Sequence, residues 1–111
     1  MKSFSDKHDT PLVVLVIPDP VQVNRKYETI YAQAGFKIPD DGLMLTRIQN
    51  RLERISGRYG AQFLDPLPQL RSLADQDLFY TNDPHLNDAG QSAIAEILAV
   101  YLRRTIGVCT P

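Results

Sequence analysis

The first regular pattern in the chain is an apolar, mostly β-branched run that extends from Leu12 to Ile17 and ends at Pro18-Asp19-Pro20. A short continuous apolar run bounded by prolines predicts a strand that is buried on both faces. Strands of this kind belong to parallel sheets covered by helices, so the run alone favours an α/β fold. We interpret Asp19 as the N-cap of the helix that follows.

Two helices are predicted between these prolines and residue 60, because apolar residues recur there three or four positions apart. The first ends at Gly35, a predicted C-cap. The second begins at Asp40 or Asp41, either of which can cap it, and Gly57 and Gly60 bracket its end. Their apolar stripes are Val23, Tyr27, Ile30, Tyr31 and Ala34 in the first helix and Leu45, Ile48, Leu52, Ile55 and Tyr59 in the second.

Shorter elements are predicted from residue 61 to residue 87. Ala61–Leu64 has the composition of a second strand, which Asp65-Pro66 stops, and Leu67–Ala74 predicts a short helix with leucines facing inward. Leu78–Tyr80 predicts a brief strand or an extended lead-in, and residues 81–87 are rich in turn formers and predict a loop.

A long helix from about Asp88 to Arg104, with Asn87 as its N-cap, completes an alternation of strands and helices. Its expected buried stripe is Ile94, Ile97, Leu98, Tyr101 and Leu102. This alternation predicts a mostly parallel sheet with helices packed on it. The 111 residues suffice for one small domain, expected over residues 11–106, between a disordered N-terminal segment (1–10) and a tail (107–111).

The strand Leu12–Ile17 has the character of a central strand, which needs a neighbour on each side. The chain offers few partners for it, so we expect further strands N-terminal to Met1 in the complete domain. Left unpaired, the edge of this strand would promote self-association.

Composition and charge exclude several classes of protein. The formal net charge of −1 argues against nucleic acid or an anionic membrane as the main partner, and the longest apolar run is too short to span a bilayer. The single cysteine, Cys109, excludes a disulfide within one chain and a cysteine-based metal site. The compartment stays open, because one cysteine is compatible with either redox environment.

The segment that carries candidate chemistry is Asp83-Pro84-His85, in the loop before the long helix. Pro84 favours an extended Asp83, which places the two side chains on the same side, where a carboxylate can hold one imidazole tautomer. A histidine held in this way is the usual general base for a hydroxyl nucleophile. The alternative is structural, since an Asp before Pro commonly starts a turn.

The chain resembles the C-terminal part of the SGNH/GDSL hydrolases. Asp83, His85, Leu86, Asn87 and Gly90, followed by an amphipathic helix, are similar to the last motif block of that family. The strand from Pro11 to Pro18 and the segment Phe63-Leu64-Asp65 resemble its late strands, so the resemblance covers residues 11–104. It implies a partial three-layer α/β/α fold of flavodoxin-like type with a mostly parallel sheet, and ester hydrolysis or O-acyl transfer on a small-molecule or carbohydrate ester. In this assignment His85 is the base and Asp83 its orienting partner, and no metal or organic cofactor is implied.

The sequence departs from the family in two respects. The spacing Asp-x-His is the closer variant, as in the branch related to alginate acetyltransferases; the commoner spacing would put the acid at Asn82. The Gly-Asp-Ser block is absent, so the nucleophilic serine is expected outside this chain. The serines present lack that context: Ser3, Ser5, Ser56, Ser72 and Ser92. A non-catalytic binding or interaction module, in which Asp83 and His85 are structural, is the competing hypothesis.

Weaker candidates have simpler explanations. The recurring arginines of the second helix are interpreted as a solvated face with acids nearby, and His8 with its neighbouring acids as part of a mobile terminus. The residues concerned are Arg47, Arg51, Arg54 and Arg58 in the helix, and Asp6, His8 and Asp9 at the terminus.

Overall fold

A computed structural model describes residues 10–35 and 46–105 of the chain. Within these residues two short strands, β1 (Val13–Leu15) and β2 (Gln62–Leu64), form a parallel pair with Val14 opposite Phe63. The backbone N–H of Gln62 donates to the carbonyl of Leu12 at 2.9 Å, which extends the pairing by one residue. Both strands lie where the sequence predicts them, and their parallel direction agrees with a mixed α/β fold.

β1 differs from the prediction in its length and burial. Three residues have strand geometry instead of six, and all three are half-buried; Ile17 is 48% exposed. The described part of the chain therefore does not bury β1 on both faces. It pairs β1 along one edge only, as expected from the few strand partners that the sequence offers.

The helix predicted after β1 is divided into three pieces. They are α1 (Pro20–Val23), a 3₁₀ turn (Arg25–Tyr27) and α2 (Glu28–Gln33). Asn24 causes the break: its backbone is extended, its side-chain oxygen accepts from the N–H of Lys26 at 2.9 Å, and its amide donates to the carbonyl of Ala74 at 3.0 Å. Side chains of this type compete with helical hydrogen bonds. Gly35, with φ of 87°, follows the last helical turn as predicted.

The second predicted helix is present as α3 (Arg47–Arg58), but its N-cap is Thr46, so the prediction that Asp40 or Asp41 caps it is wrong. Its buried face is also not the apolar one. Gln49 and Ser56 are buried, whereas Ile48 is 70% and Tyr59 62% exposed. The amide groups of Gln22 and Gln49 exchange two hydrogen bonds, at 3.0 and 3.2 Å, and so fix α3 to α1 through its polar face. The apolar stripe of this helix is thus not the face that attaches α3 to the rest of the molecule.

The remaining helices are α4 (Leu67–Ser72) and α5 (Asp88–Thr105), close to their predicted bounds. Asn87 caps α5 as predicted, since its side-chain oxygen accepts from the N–H of Gly90 at 2.9 Å. Together α1, α4, α5 and the segment before α5 enclose the core, whose buried residues are Val21, Val23, Tyr27, Leu67, Leu70, Leu78, Phe79 and Ile94.

Some predictions fall on residues outside the described ranges. These are the segment 1–10 that is predicted to be disordered (apart from Thr10, which is described and exposed), the tail 107–111 with Cys109, and the candidate residues Ser3, Ser5, Asp6, His8, Asp9, Asp40, Asp41 and Leu45.

Candidate functional site

The loop that carries Asp83 and His85 is closed at its base by backbone hydrogen bonds. Phe79 and Leu86 form an antiparallel bridge, and the N–H of Tyr80 donates to the carbonyl of His85 at 3.1 Å. Phe79 is 1% exposed, so the loop projects from a core residue. The predicted lead-in at residues 78–80 is thus extended, and it holds both ends of the loop in place.

The structure brings the two predicted site residues together. One oxygen of the Asp83 carboxylate, Oδ1, contacts Nδ1 of His85 and also accepts the backbone N–H of His85 at 2.8 Å. Both hydrogen bonds lower the pKa of Asp83 below its ordinary value of 3.8. The one from the backbone N–H has the larger effect, and the one with the ring has the next largest. Asp83 is therefore ionised near neutral pH.

Ionisation of Asp83 determines what the imidazole can do. A carboxylate only accepts hydrogen bonds, so a neutral His85 must carry its proton on Nδ1, which leaves Nε2 as the basic nitrogen. The side chain of His85 is 82% exposed, and none of its described hydrogen bonds involves Nε2. The arrangement can accept a proton from a hydroxyl group that approaches from outside the loop.

An open cleft of about 320 Å³ borders this loop at the C-terminal end of β1. Pro84 forms one side, and the other walls come from the end of β1, the start of α1 and the start of α3, through residues that include Ile17, Asp19 and Gln49. Ligands of open α/β sheets bind beyond the carboxyl ends of the strands. The position of the cleft is therefore that of a ligand site in this class of fold.

Asp19 lies in the cleft but has a structural role, as predicted. Its carboxylate accepts the N–H of Val21 at 3.0 Å, and its own N–H donates to Gln22 at 2.9 Å, which completes a capping box. The hydroxyl of Tyr31 donates to the second carboxylate oxygen. The pKa of Tyr31 is raised to about 12, mainly because the hydroxyl is partly buried and secondly because of its hydrogen bond to Asp19.

The described serines are not placed beside His85. Ser56 is buried in α3, Ser72 donates to the carbonyl of Gln69 at 2.6 Å, and Ser92 lies on α5. None of the described serines has a hydrogen bond to the imidazole of His85.

A second, larger groove of about 600 Å³ runs between α4 and α5. Its lining includes Leu73, Ala93 and Ile97. Neither Asp83 nor His85 lines this groove or the smaller cleft, where Pro84 represents their loop. Within the described ranges no three His, Cys, Asp or Glu side chains are grouped so as to hold a metal ion. The helices in these ranges also include none that is long and apolar enough to cross a bilayer.

Sequence reasoning missed the amide pair of Gln22 and Gln49. The two residues are 27 positions apart, and neither position carries a motif, so only the fold reveals the pair.

No family model, curated protein or solved structure matches this chain.

Proposed function

We propose that this chain supplies the base arm of an SGNH/GDSL-type catalytic triad that hydrolyses or transfers an acyl group from an ester. The observation that carries the proposal is the contact between the ionised Asp83 and Nδ1 of His85 in an exposed loop beside the cleft at the end of β1. The complete domain is then a flavodoxin-like three-layer α/β/α fold, of which residues 11–106 form the C-terminal part.

In this proposal His85 acts through Nε2. It takes the proton from a serine hydroxyl while the serine oxygen attacks the ester carbonyl, and it then donates that proton to the departing alcohol. Asp83 stabilises the imidazolium that forms in between. Water, or a second alcohol in a transferase, repeats the sequence on the acyl-serine, and no metal or organic cofactor takes part.

A structural role is the second candidate, and one observation favours it. Asp83 accepts the backbone N–H of His85, which is the hydrogen bond of an Asx turn, so local loop geometry explains the pair without catalysis. The substitution Asp83→Asn separates the two hypotheses, because an asparagine keeps the oxygen that accepts this N–H but loses the charge.

The experiment is an esterase assay on an aryl acetate and an acetylated sugar, with the chain alone and with the polypeptide that carries the Gly-Asp-Ser block. We expect no turnover from the chain alone and turnover from the complete system. Asp83→Asn should lower kcat by about 10⁴-fold, and His85→Gln by as much or more.

A fluorophosphonate label that reacts with activated serines provides a second measurement. The chain alone should not be labelled. Turnover by the chain alone that disappears with Ser3→Ala or Ser5→Ala would show that the nucleophile lies in its own N-terminal segment. Turnover by the complete system that is unchanged by Asp83→Asn would favour the structural role.

A further inference from the structure

Helix α3 presents an apolar row that the described part of the molecule leaves largely uncovered. The row comprises Ile48, Leu52, Ile55 and Tyr59, of which Ile48 is 70%, Ile55 39% and Tyr59 62% exposed. The helix is attached to the body by its neighbouring polar face, through Gln49 and Ser56. The apolar row, hereafter the α3 seam, is therefore not required for attachment.

The spacing of the α3 seam indicates what kind of surface it fits. Its residues follow one another at intervals of four, three and four positions, which are the d and a positions of successive heptads. A stripe of this kind covers a narrow arc of the helix, as in the seam between two packed helices. Helices that lie on lipid have a wider apolar face, so the seam favours a partner helix over a membrane surface.

A row of arginines runs beside the seam. Arg47, Arg51, Arg54 and Arg58 are all exposed, and within the described ranges none of them forms an ion pair, not even with Glu53 of the same helix. Arg51 and Arg58 each precede an a residue and so occupy g positions, where charges select the partner. The formal charge of −1 for the whole chain conceals this local concentration of positive charge.

The same charges argue against a second copy of the chain as the partner. An antiparallel pair of α3 helices would place the g arginines of the two copies opposite each other, which is repulsive. A parallel pair would place them opposite the e positions, Gln49 and Ser56, which are buried against the body and offer no charge.

We propose that the α3 seam is a docking surface for an amphipathic helix of a partner protein, with apolar residues in its own seam and carboxylates flanking it. The carboxylates would pair with Arg51 and Arg58, while the apolar side chains cover Ile48, Ile55 and Tyr59. This proposal does not depend on the chemistry of Asp83 and His85, although Ile48 at the start of the α3 seam also lines the cleft beside their loop.

The test uses two synthetic helical peptides that carry Ile and Leu at their a and d positions and differ in having Glu or Lys at e and g. Fluorescence anisotropy measures their binding to the purified chain at low and at physiological salt. We expect the Glu peptide to bind, more weakly as salt rises, and the Lys peptide not to bind.

Paired variants give the expected magnitudes. Arg51→Gln with Arg58→Gln should weaken binding of the Glu peptide by roughly tenfold, whereas Arg103→Gln with Arg104→Gln, the same loss of charge on the exposed end of α5, should leave it within about twofold. Ile48→Ser should weaken binding roughly tenfold, and Tyr80→Ser, at another exposed apolar residue, should not. Circular dichroism checks that each variant folds.

Four results would overturn the proposal. The first is equal binding, or no binding, of the two peptides, and the second is an equal effect of the two arginine pairs. The third is a dimer in sedimentation that Ile48→Ser dissociates, which would assign the α3 seam to a second copy. The fourth is binding to phosphatidylglycerol vesicles that requires Arg51 and Arg58, in the absence of peptide binding, which would assign it to lipid.

Discussion

At the scale of single residues, one buried hydroxyl links the 3₁₀ turn to the segment before α5. Tyr27 is 4% exposed, and its oxygen accepts the backbone N–H groups of Leu78 and Phe79 at 3.2 and 3.4 Å. Its ring also meets that of Phe79 edge-on, with 5.2 Å between the centroids. Tyr27 therefore satisfies two buried donors that lie outside any helix or strand.

We expect Tyr27→Phe to lower the free energy of unfolding by about 1–3 kcal/mol, because two buried N–H groups lose their acceptor while the ring contact remains. Urea denaturation measures the change. Tyr59→Phe is the matched control, since Tyr59 is exposed, and it should change the free energy by less than about 0.5 kcal/mol. Equal stability of the two variants would mean that the N–H groups find other acceptors.

The pair of Asp83 and His85 gives a prediction about pH. The pKa of Asp83 is lowered in the folded chain, so the ionised form stabilises the fold at pH values above the unfolded pKa of about 3.9, and this contribution is lost as the pH falls through the folded value. Carboxyl NMR should show Asp83 titrating below the ordinary range. Because the backbone N–H is the largest cause, His85→Ala should keep most of the shift; a return to the ordinary value would contradict this order of causes.

Short-range contacts at this scale could be predicted from the sequence, and long-range ones could not. The caps at Asp19 and Asn87 and the proximity of Asp83 to His85 depend on residues two or three positions apart, whose geometry is set by the local backbone. The acceptor role of Tyr27 depends on a residue 51 positions away, which no local pattern specifies.

At the scale of the elements, α5 packs so closely against the segment that precedes it that one of its residues must be glycine. A Cβ added at Gly90 would lie 2.0 Å from the backbone carbonyl oxygen of Leu78 and 2.8 Å from the side chain of Leu86. The backbone at the base of the loop that carries Asp83 and His85 cannot move away without shifting the bridge between Phe79 and Leu86. Gly90 therefore sets the distance between α5 and the base of the loop.

Gly90→Ala should destabilise the fold by about 2 kcal/mol or more, since the clash is with backbone. Gly57→Ala in α3 is the control, because a Cβ there meets nothing within 4 Å, and it should stabilise the fold by about 0.5–1 kcal/mol. Thermal unfolding of both variants measures the contrast. A neutral Gly90→Ala would show that α5 can move away from the loop without loss.

Periodicity identified α3 as a helix but not the face by which it is attached. An apolar stripe usually marks the buried face of a helix. Here the hydrogen bonds between the amides of Gln22 and Gln49 attach α3 to α1 by its polar face instead. A pattern of apolar positions indicates which face of a helix favours an apolar partner. It does not indicate whether that partner belongs to the same chain. Likewise the pattern over residues 21–34 is helical throughout, and the side chain of Asn24 interrupts it.

At the scale of the whole molecule, β1 has one edge paired with β2 and one edge without a strand among the described residues. The alternation along the strand places the N–H groups of Val14 and Val16 toward β2 and those of Val13 and Leu15 toward the other edge. The order of elements and the parallel direction of the strands were predictable; the width of the sheet was not, because apolar runs do not specify how many strands pair.

We expect the purified chain to self-associate through this edge. Val13→Pro should reduce the association, because it removes an N–H that points away from β2, whereas Val16→Pro should instead destabilise the fold by removing the hydrogen bond to Leu64. Analytical ultracentrifugation over a range of concentrations measures association, and urea denaturation measures stability. A monomer at all concentrations, or an association that survives Val13→Pro, would exclude the edge as the contact.

The parallel pairing of β1 with β2 also bears on the order in which the chain folds. The register joins residues 13–15 to residues 62–64, so the two strands meet only when all of the intervening chain has been brought together. Closing so long a loop is entropically unfavourable, and contacts of this separation slow folding, whereas a helix such as α5 forms from neighbours in the sequence. The sheet at whose end the cleft lies is thus expected to form later than the individual helices that surround it.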